Sequence, residues 1–402
     1  MSHTENKKMG GRPARLSLTS QERRTSTMLA WLFATRMLGL FLLTPVFAVA
    51  ASSLVGGQDA MRVGFALGAY GLTQAIMQIP LGMASDRFGR RPVIVAGMLL
   101  FIVGGVICAL SDSVDGIIVG RVLQGLGAVS AAITAWVADA TRPEVRTRAM
   151  AMVGASIGLS FALSLVLSPV LVGQFGLSGL FWVISALGFV CLLLAAFVVP
   201  AAPQAIPVLQ SARMGDVLGD KNLLRLNFGV FALHAILMMM FMVVPGLLEH
   251  TGGLQTATLW KVYLPVILVS FVFMVPVVFY TETRKCHQAI LMKMVLLLAA
   301  VLLVMPLALQ NFWWLVALLV LFFVAFNVLE ALQPSLVSRQ APAEYKGLAL
   351  GFYNMSQSLG VFGGGVAGGL LAAKQSPQTV LWLGAALAIA WLVLGRGLKT
   401  PD

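Results

Sequence analysis

Three polar residues inside one apolar run carry the clearest chemistry in this chain. Glu330 lies within the run 311–338, with Asn327 three residues before it and Gln333 three after, so all three fall near one face of a helix. A carboxyl group shielded from water can hold a proton near neutral pH. That suits it to proton coupling, or to meeting a cationic solute. His234 lies in the middle of run 223–247, two turns after Asn227, and an imidazole changes charge within the working pH range. Arg36, Arg121 and Lys261 are further charges in apolar surroundings, where charge is costly and rarely faces lipid. Glu330, His234, Arg121, Arg36 and Lys261 are therefore the candidates for proton coupling. Each has a plainer alternative: Glu330 paired with Lys261 or capping a helix end, His234 packed neutral and hydrogen-bonded, Arg36 snorkelling to the surface, and Arg121 bonded to carbonyls of the first or second span. Lys293 is near enough to the inner surface to snorkel.

Polar stripes complete a candidate chamber. Tyr70, Gln74 and Gln78 recur at four-residue intervals, and Tyr353, Asn354 and Gln357 cluster in another run. With Asn327 they are the candidate substrate contacts, since such faces turn away from lipid. Ser156, Ser160, Ser164 and Ser168 form a third stripe, which can also serve simply to join helices. Gly360, Gly364 and Gly368 are expected to give close packing or bending.

The elements that must hold these residues are apolar helices. The 402 residues are 59% hydrophobic and only 10% charged, against about 25% charge in soluble domains, and the mean hydropathy is +0.92. Continuous apolar runs of roughly 20 residues cross a bilayer as helices; they do not alternate as barrel strands do. The expected spans are 28–50, 60–84, 92–110, 116–139, 147–171, 179–199, 223–247, 257–281, 287–309, 311–338, 346–372 and 376–395. The expected fold class is an all-α polytopic membrane protein, with twelve transmembrane helices in two six-helix bundles. Residues 1–27 form a basic tail, 28–199 the first bundle, 200–222 a linker, 223–395 the second bundle and 396–402 a short tail. The linker starts with Pro200, Pro203 and Pro207, and its later residues suit a short surface helix. An even split across a polar linker suggests bundles that rock about a central site.

Charge placement sets the expected orientation. Most of the 27 basic residues fall in the first tail (Lys7, Lys8, Arg12, Arg15, Arg23, Arg24) and in alternate loops and the linker (Arg87, Arg90, Arg91, Arg142, Arg146, Arg148, Arg213, Lys221, Arg284, Lys285, Arg339, Lys346). This bias puts both termini in the cytoplasm, in a bacterial inner membrane. Trp31 and Trp391 then fall at inner ends, and Trp182, Trp260, Trp313, Trp314 and Trp382 near outer ends. The net charge of +12 is thus a topology signal, and no nucleic-acid partner is expected. Arg36 interrupts the first apolar segment and no cleavage site follows, so that span is expected to stay. Three cysteines, Cys108, Cys191 and Cys286, offer neither a disulfide framework nor a metal cluster. No metal and no cofactor is expected. The expected partners are a small-molecule substrate, protons and membrane lipids, with the chain acting as a monomer.

One loop stands out. Gly82-Met-Ala-Ser-Asp86-Arg87-Phe-Gly89-Arg90-Arg91 puts turn and charge residues between two apolar runs. Gly82 is expected to permit close helix approach, and Gly89 a positive φ. Asp86 can hold the positive end of another helix, with the start of span eleven near Lys346 and Gly347 as the target, or pair with an arginine. Arg90 and Arg91 are expected to meet Asp139 at the end of span four. Span eight leads to a weaker echo, Tyr280-Thr-Glu282-Thr-Arg284-Lys285, without the glycines.

Here the chain resembles the major facilitator superfamily. Gly82, Asp86, Arg87, Gly89, Arg90 and Arg91 match its loop signature in full, and Arg121-Val-Leu-Gln124-Gly125 resembles its span-four signature. The resemblance implies that the loop is a conformational latch meeting the inner ends of spans four and eleven, and that Arg121 belongs to proton coupling. A closer similarity is to the YajR-type drug–proton antiporters, carried by segments such as Tyr70-Gly71-Leu72-Thr73-Gln74-Ala75 and Phe322-Phe323-Val324-Ala325-Phe326-Asn327. Members of that group often continue into a small cytoplasmic domain, which is not expected here because Asp402 follows closely on span twelve. The span-five antiporter signature departs from the pattern: Gly154 and Gly158 are four apart, and Pro169 follows much later.

The expected function is secondary active transport by alternating access, as proton-coupled efflux of small amphipathic or organic compounds. Proton-coupled metabolite uptake is the alternative, and a membrane ligand sensor without turnover is a further one. No nucleotide-binding loop and no His-Glu-x-x-His run occurs, so neither direct ATP use nor a membrane-embedded enzyme is expected.

Overall fold

A computed structural model describes residues 18–127, 129–200, 214–342 and 346–399. Lys7, Lys8, Arg12 and Arg15, the linker stretch with Pro203, Pro207 and Arg213, and residues 400–402 lie outside the described residues. Among the described residues the regular structure is helical, apart from one isolated bridge, Val55 to Ser113. In chain order the helices are α1 (Ser20–Phe41), α2 (Phe47–Ala50), α3 (Ala60–Phe88), α4 (Arg90–Leu110), α5 (Val114–Leu126), α6 (Ser130–Asp139), α7 (Pro143–Leu193), α8 (Met214–Gly219), α9 (Lys221–Gly252), α10 (Trp260–Arg284), α11 (His287–Val304), α12 (Phe312–Gln340), α13 (Lys346–Lys374) and α14 (Pro377–Gly395).

These helices fall on the apolar runs, with three local differences. The first run breaks after Phe41 and resumes at Phe47, around Pro45, which has no amide to donate. The fourth breaks between α5 and α6, where a Cβ on Gly127 would stand 2.2 Å from the Gly97 carbonyl. The fifth and sixth runs join in α7, which turns at Gly176 (φ 68°), a conformation that favours glycine. Asp59 and Asp220 cap α3 and α9 by accepting from backbone amides.

The fold is an all-α polytopic membrane fold. Among the described residues, eight helical stretches are long and apolar enough to cross a membrane, with α7 counted once. The helices α1, α3 and α13 are not among them. In α3 and α13 glycines and polar residues such as Gln74, Gln78 and Gln357 dilute the apolar character, and these face other helices; in α1 Arg23, Arg24 and Arg36 do so. Large apolar side chains cover much of the outside, including Val272, Phe273 and Phe279 of α10 and Trp313 and Trp314 of α12. Such a surface is stable against lipid and costly in water. Trp391 corrects the sequence expectation: it is buried, with its indole against Gly229 rather than at a headgroup level.

Two apolar cores organise the interior. One is drawn from residues 29–199 plus Met238; the other runs from Val217 to Leu398 and takes in Phe161, Ala162 and Leu165 of α7. They meet along α3 and α13. A Cβ on Gly64 would come within 2.2 Å of the Gly365 carbonyl, one on Gly369 within 2.5 Å of the Ala60 carbonyl, and one on Gly71 within 2.5 Å of the Ser358 carbonyl. Only glycine lets these backbones lie so close. Gly360, Gly364 and Gly368 form a second face of α13, turned to Phe231, Ala235 and Met239 of α9. The serine stripe of α7 bonds largely to backbone, with Ser160 and Ser168 donating to Ala34 and Leu42 carbonyls beside it, so these hydroxyls join helices.

Candidate functional site

The chemistry of the site can be built from three clusters, beginning at the α3–α4 loop. Gly89 sits at φ 92°, ψ 154°, a region essentially reserved for glycine. The turn brings Arg90 back under α3. Its guanidinium pairs with Asp86, donates from Nε to Asp139 Oδ2 at 2.8 Å and donates to Ser85 Oγ at 2.7 Å. Arg91 instead donates to the Val199 carbonyl at 2.6 Å and lies 5.9 Å from the Trp136 ring centroid. Of the two arginines expected at Asp139, the structure brings only Arg90 there. Asp86 is 65% exposed and is held by Arg90, not by the start of α13. A Cβ on Gly82 would meet only Ala131 Cβ, at an ordinary 3.6 Å, so this conformation does not use Gly82 for close approach. Arg87 lies 5.3 Å from the ring of its neighbour Phe88.

The second cluster lies in the interior of the first core. Arg36 is 1% exposed, so it does not snorkel; it donates to Ser130 Oγ and to the Tyr70 hydroxyl, each at 2.7 Å. Arg121 is 3% exposed, bonds to Gln124 Oε1 at 3.0 Å and stands 4.8 Å from the centroid of the same Tyr70 ring. Its partners are thus a side chain of its own helix and an aromatic face on α3, not backbone carbonyls. Gln74 donates across to Ser358 Oγ on α13 at 2.8 Å, and Gln78 is buried one turn further along.

The third cluster lies in the second core. His234 Nδ1 is 3.1 Å from the Val230 carbonyl, and Nε2 is 2.7 Å from Gln357 Nε2. A carbonyl only accepts, so Nδ1 carries the hydrogen and Nε2 accepts from the Gln357 amide. Glu330 Oε2 is 3.7 Å from that same Nε2 and is buried without a hydrogen bond. The buried Tyr353 hydroxyl stands within electrostatic reach of Glu330. Asn327 donates to Ser270 Oγ at 2.9 Å, and Asn354 is half-buried on the same helix as Tyr353. Lys261 is exposed at the start of α10 and joins neither His234 nor Glu330; Lys293 is exposed as well.

Between the two interior clusters stands an aromatic group that the sequence reasoning missed. The Phe161 ring on α7 lies 5.3 Å from Phe41, 6.2 Å from Phe323 and 5.7 Å from Phe326. The Phe322-Phe323-x-x-Phe326 spacing was the available signal, but its partners come from distant helices. At the α10–α11 loop the sequence echo named Glu282 but not its partners. There Glu282 accepts from Arg339 at 2.6 Å and lies 3.4 Å from Nε2 of the fully buried His287. Among the described residues, no three His, Cys, Asp or Glu side chains converge as a metal site would need.

Charged turns between apolar helices, buried polar and charged side chains in the interior and two cores joined by a glycine seam describe a membrane carrier. The profile of the Major Facilitator Superfamily matches residues 29–365 and 294–402, and the chain belongs to that superfamily. It is 43% identical over 388 residues to the inner membrane transport protein YajR of Escherichia coli K12, covering 96% of this chain and 85% of that one. It is 29% identical over 366 residues to the multidrug resistance protein MdtH of Aeromonas hydrophila, covering 89% of each. Among solved structures, a D-xylose-proton symporter superposes with a TM-score of 0.76 at 15% identity, over 94% of this chain and 98% of that one. The protein is a multi-pass secondary transporter and not an enzyme.

Proposed function

We propose that this chain exports small amphipathic or organic compounds in exchange for protons, by alternating access. In this reading twelve helices cross the bacterial inner membrane, six in residues 28–199 and six in 223–395, with both termini cytoplasmic and the monomer as the working unit. The two apolar cores support a division into bundles. The names of two relatives, an inner membrane transport protein and a multidrug resistance protein, support the location and the class of solute. The single observation that carries the coupling is the buried, unbonded Glu330 oxygen beside His234. A carboxylate oxygen and an imidazole nitrogen stand there 3.7 Å apart, close enough to pass a proton between them.

Tyr70, Gln74, Gln78, Asn327, Tyr353, Asn354 and Gln357 are the proposed solute contacts, with Arg36 and Arg121 as buried cations beside them; Lys261 is a more remote coupling candidate. The α3–α13 seam lies at the end of α3 away from Asp86. With both termini inside, this seam closes the outward side in the described state. Asp86, Arg87, Gly89, Arg90, Arg91, Asp139 and Gly82 form the proposed latch, whose Asp86 turns from Arg90 to the start of α13 when the inner side closes. Flux from proteoliposomes under an imposed pH gradient tests the reading. Export should accelerate when protons can run opposite to the solute; flux indifferent to the gradient would end the proposal, and flux with the proton would mean uptake.

A further inference from the structure

The proton-coupled reading leaves open how a proton in the second core is felt at the junction between the bundles. Gln357 stands where that question is decided. His234 Nε2 has one lone pair, which the Gln357 amide fills at 2.7 Å. A proton arriving on Nε2 turns the ring into a donor on both sides. Two donors then face each other, and the Gln357 amide must either turn its oxygen to the ring as a neutral acceptor or give up the contact. A charged acceptor competes for the new N–H: Glu330 Oε2 is 3.7 Å away and without a hydrogen bond. Charge-assisted bonds are the stronger kind, so the ring exchanges a link to α13 for a link to α12.

The consequence reaches the first bundle through the next residue. Ser358 follows Gln357 on α13, and its Oγ accepts from Gln74 of α3 at 2.8 Å. The Ser358 carbonyl is also the atom that a Cβ on Gly71 would strike. The residue that reads His234 therefore adjoins the residue that fastens the seam. The groups facing His234 are few: Glu330 and Phe326 from α12, Gln357 from α13, with the Tyr353 hydroxyl beyond Glu330, and the Val230 carbonyl of its own helix.

We infer that Gln357 is a positioning residue that couples the proton on His234 to the α3–α13 seam, holding the seam closed while the ring is neutral and releasing it when the ring is protonated. This inference rests on the proton-coupled reading but makes a separate demand. Gln357 is then not primarily a solute contact, and its loss uncouples the seam from pH without removing the titrating group.

The test uses full-length protein in nanodiscs. Spin labels across the outer ends of α3 and α13 report the seam, and histidine-labelled NMR, assigned with His234→Phe, reports the ring. Between about pH 8 and about pH 5, the wild-type open-seam population should rise about tenfold, with the midpoint of the His234 titration. Gln357→Met has no hydrogen-bonding group: His234 should still titrate while the seam loses its pH response. Gln357→Glu offers the protonated ring a charged acceptor on α13 that matches Glu330, so the link survives acidification and the seam should stay closed where the wild type opens. A purely structural role predicts the same behaviour for both variants. A full pH response in both variants overturns the inference. So does a wild-type seam that ignores pH while gradient-driven flux persists, which leaves the transport reading standing; absent gradient-driven flux defeats that reading instead.

Discussion

The loops after α3 and after α10 make the same connection with different chemistry. In the first, Arg90 is a buried cation held between Asp86 on the preceding helix and Asp139 at the end of α6. In the second, Glu282 is an anion between His287 on the following helix and Arg339 at the end of α12. The polarity of the charges is inverted. The backbones differ as well: Gly89 occupies a region essentially closed to other residues, while Lys285 takes an ordinary left-handed turn at φ 51°, ψ 40°. The glycines absent from the second loop are absent because its geometry does not require them. The first loop is built around one arginine and a special turn. The second spreads its charge over groups with more freedom.

Substitutions can break this contrast, and the largest effect is expected at Arg90. Arg90→Ala leaves the half-buried Asp139 without its cation and should cost about 3 kcal/mol, read as a lower midpoint in chemical denaturation. His287→Ala should cost less, because Glu282 keeps Arg339. Gly89→Ala comes next, at about 1–3 kcal/mol, whereas Lys285→Gly should be neutral or slightly stabilising; equal losses in the two loops would remove the distinction. Asp86→Asn should cost under about 1 kcal/mol, since the carboxylate is mostly exposed. It should nevertheless slow flux several-fold, because its proposed partner belongs to the other state. Unaltered flux in that variant would count against the latch. Glu330→Gln should flatten the pH dependence of transport, and a preserved profile would strike Glu330 from the coupling groups.

The smallest effect concerns a third charged tie. Glu22 completes a capping box with Thr19 and accepts from the Arg142 backbone amide, Nε and a terminal guanidinium nitrogen. The Arg142 side chain, followed by the Thr19 and Arg142 amides, holds its carboxyl down from 4.5 to about 2. A depressed carboxyl gives its full contribution above its ordinary value and loses it as pH falls through the depressed one. Protection of the Arg142 amide from hydrogen exchange, corrected for intrinsic rate, should therefore survive to about pH 3. Loss of protection already near 4.5 would show that the tie is not formed.

Much of the fold was legible because lipid imposes a simple requirement: apolar runs long enough to cross, punctuated by charge. The Arg90–Asp139 contact was legible in part: the charges pointed to Asp139 but did not tell Arg90 from Arg91, which turns to the Val199 carbonyl. Contacts between distant segments were not. Arg36 could be read as a snorkelling side chain because Ser130, 94 residues away, leaves no mark near it. The even spacing of Gly360, Gly364 and Gly368 announced one packed face of α13, but Gly365 and Gly369 meet α3 only through the way the cores are brought together. Trp391 was misplaced by its rank among interfacial tryptophans, although a gap over Gly229 draws it inward. The partner of Asp86 depends on conformation, which no spacing encodes.

The most direct test of the account is to fasten the seam. Phe65 and Phe362, whose rings lie 5.9 Å apart across α3 and α13, can be replaced by cysteines in a background lacking Cys108, Cys191 and Cys286 and bridged with a short reducible reagent. Bridging should abolish solute flux, and reduction should restore it. Undiminished flux through the bridged protein would contradict transport by opening and closing at this seam.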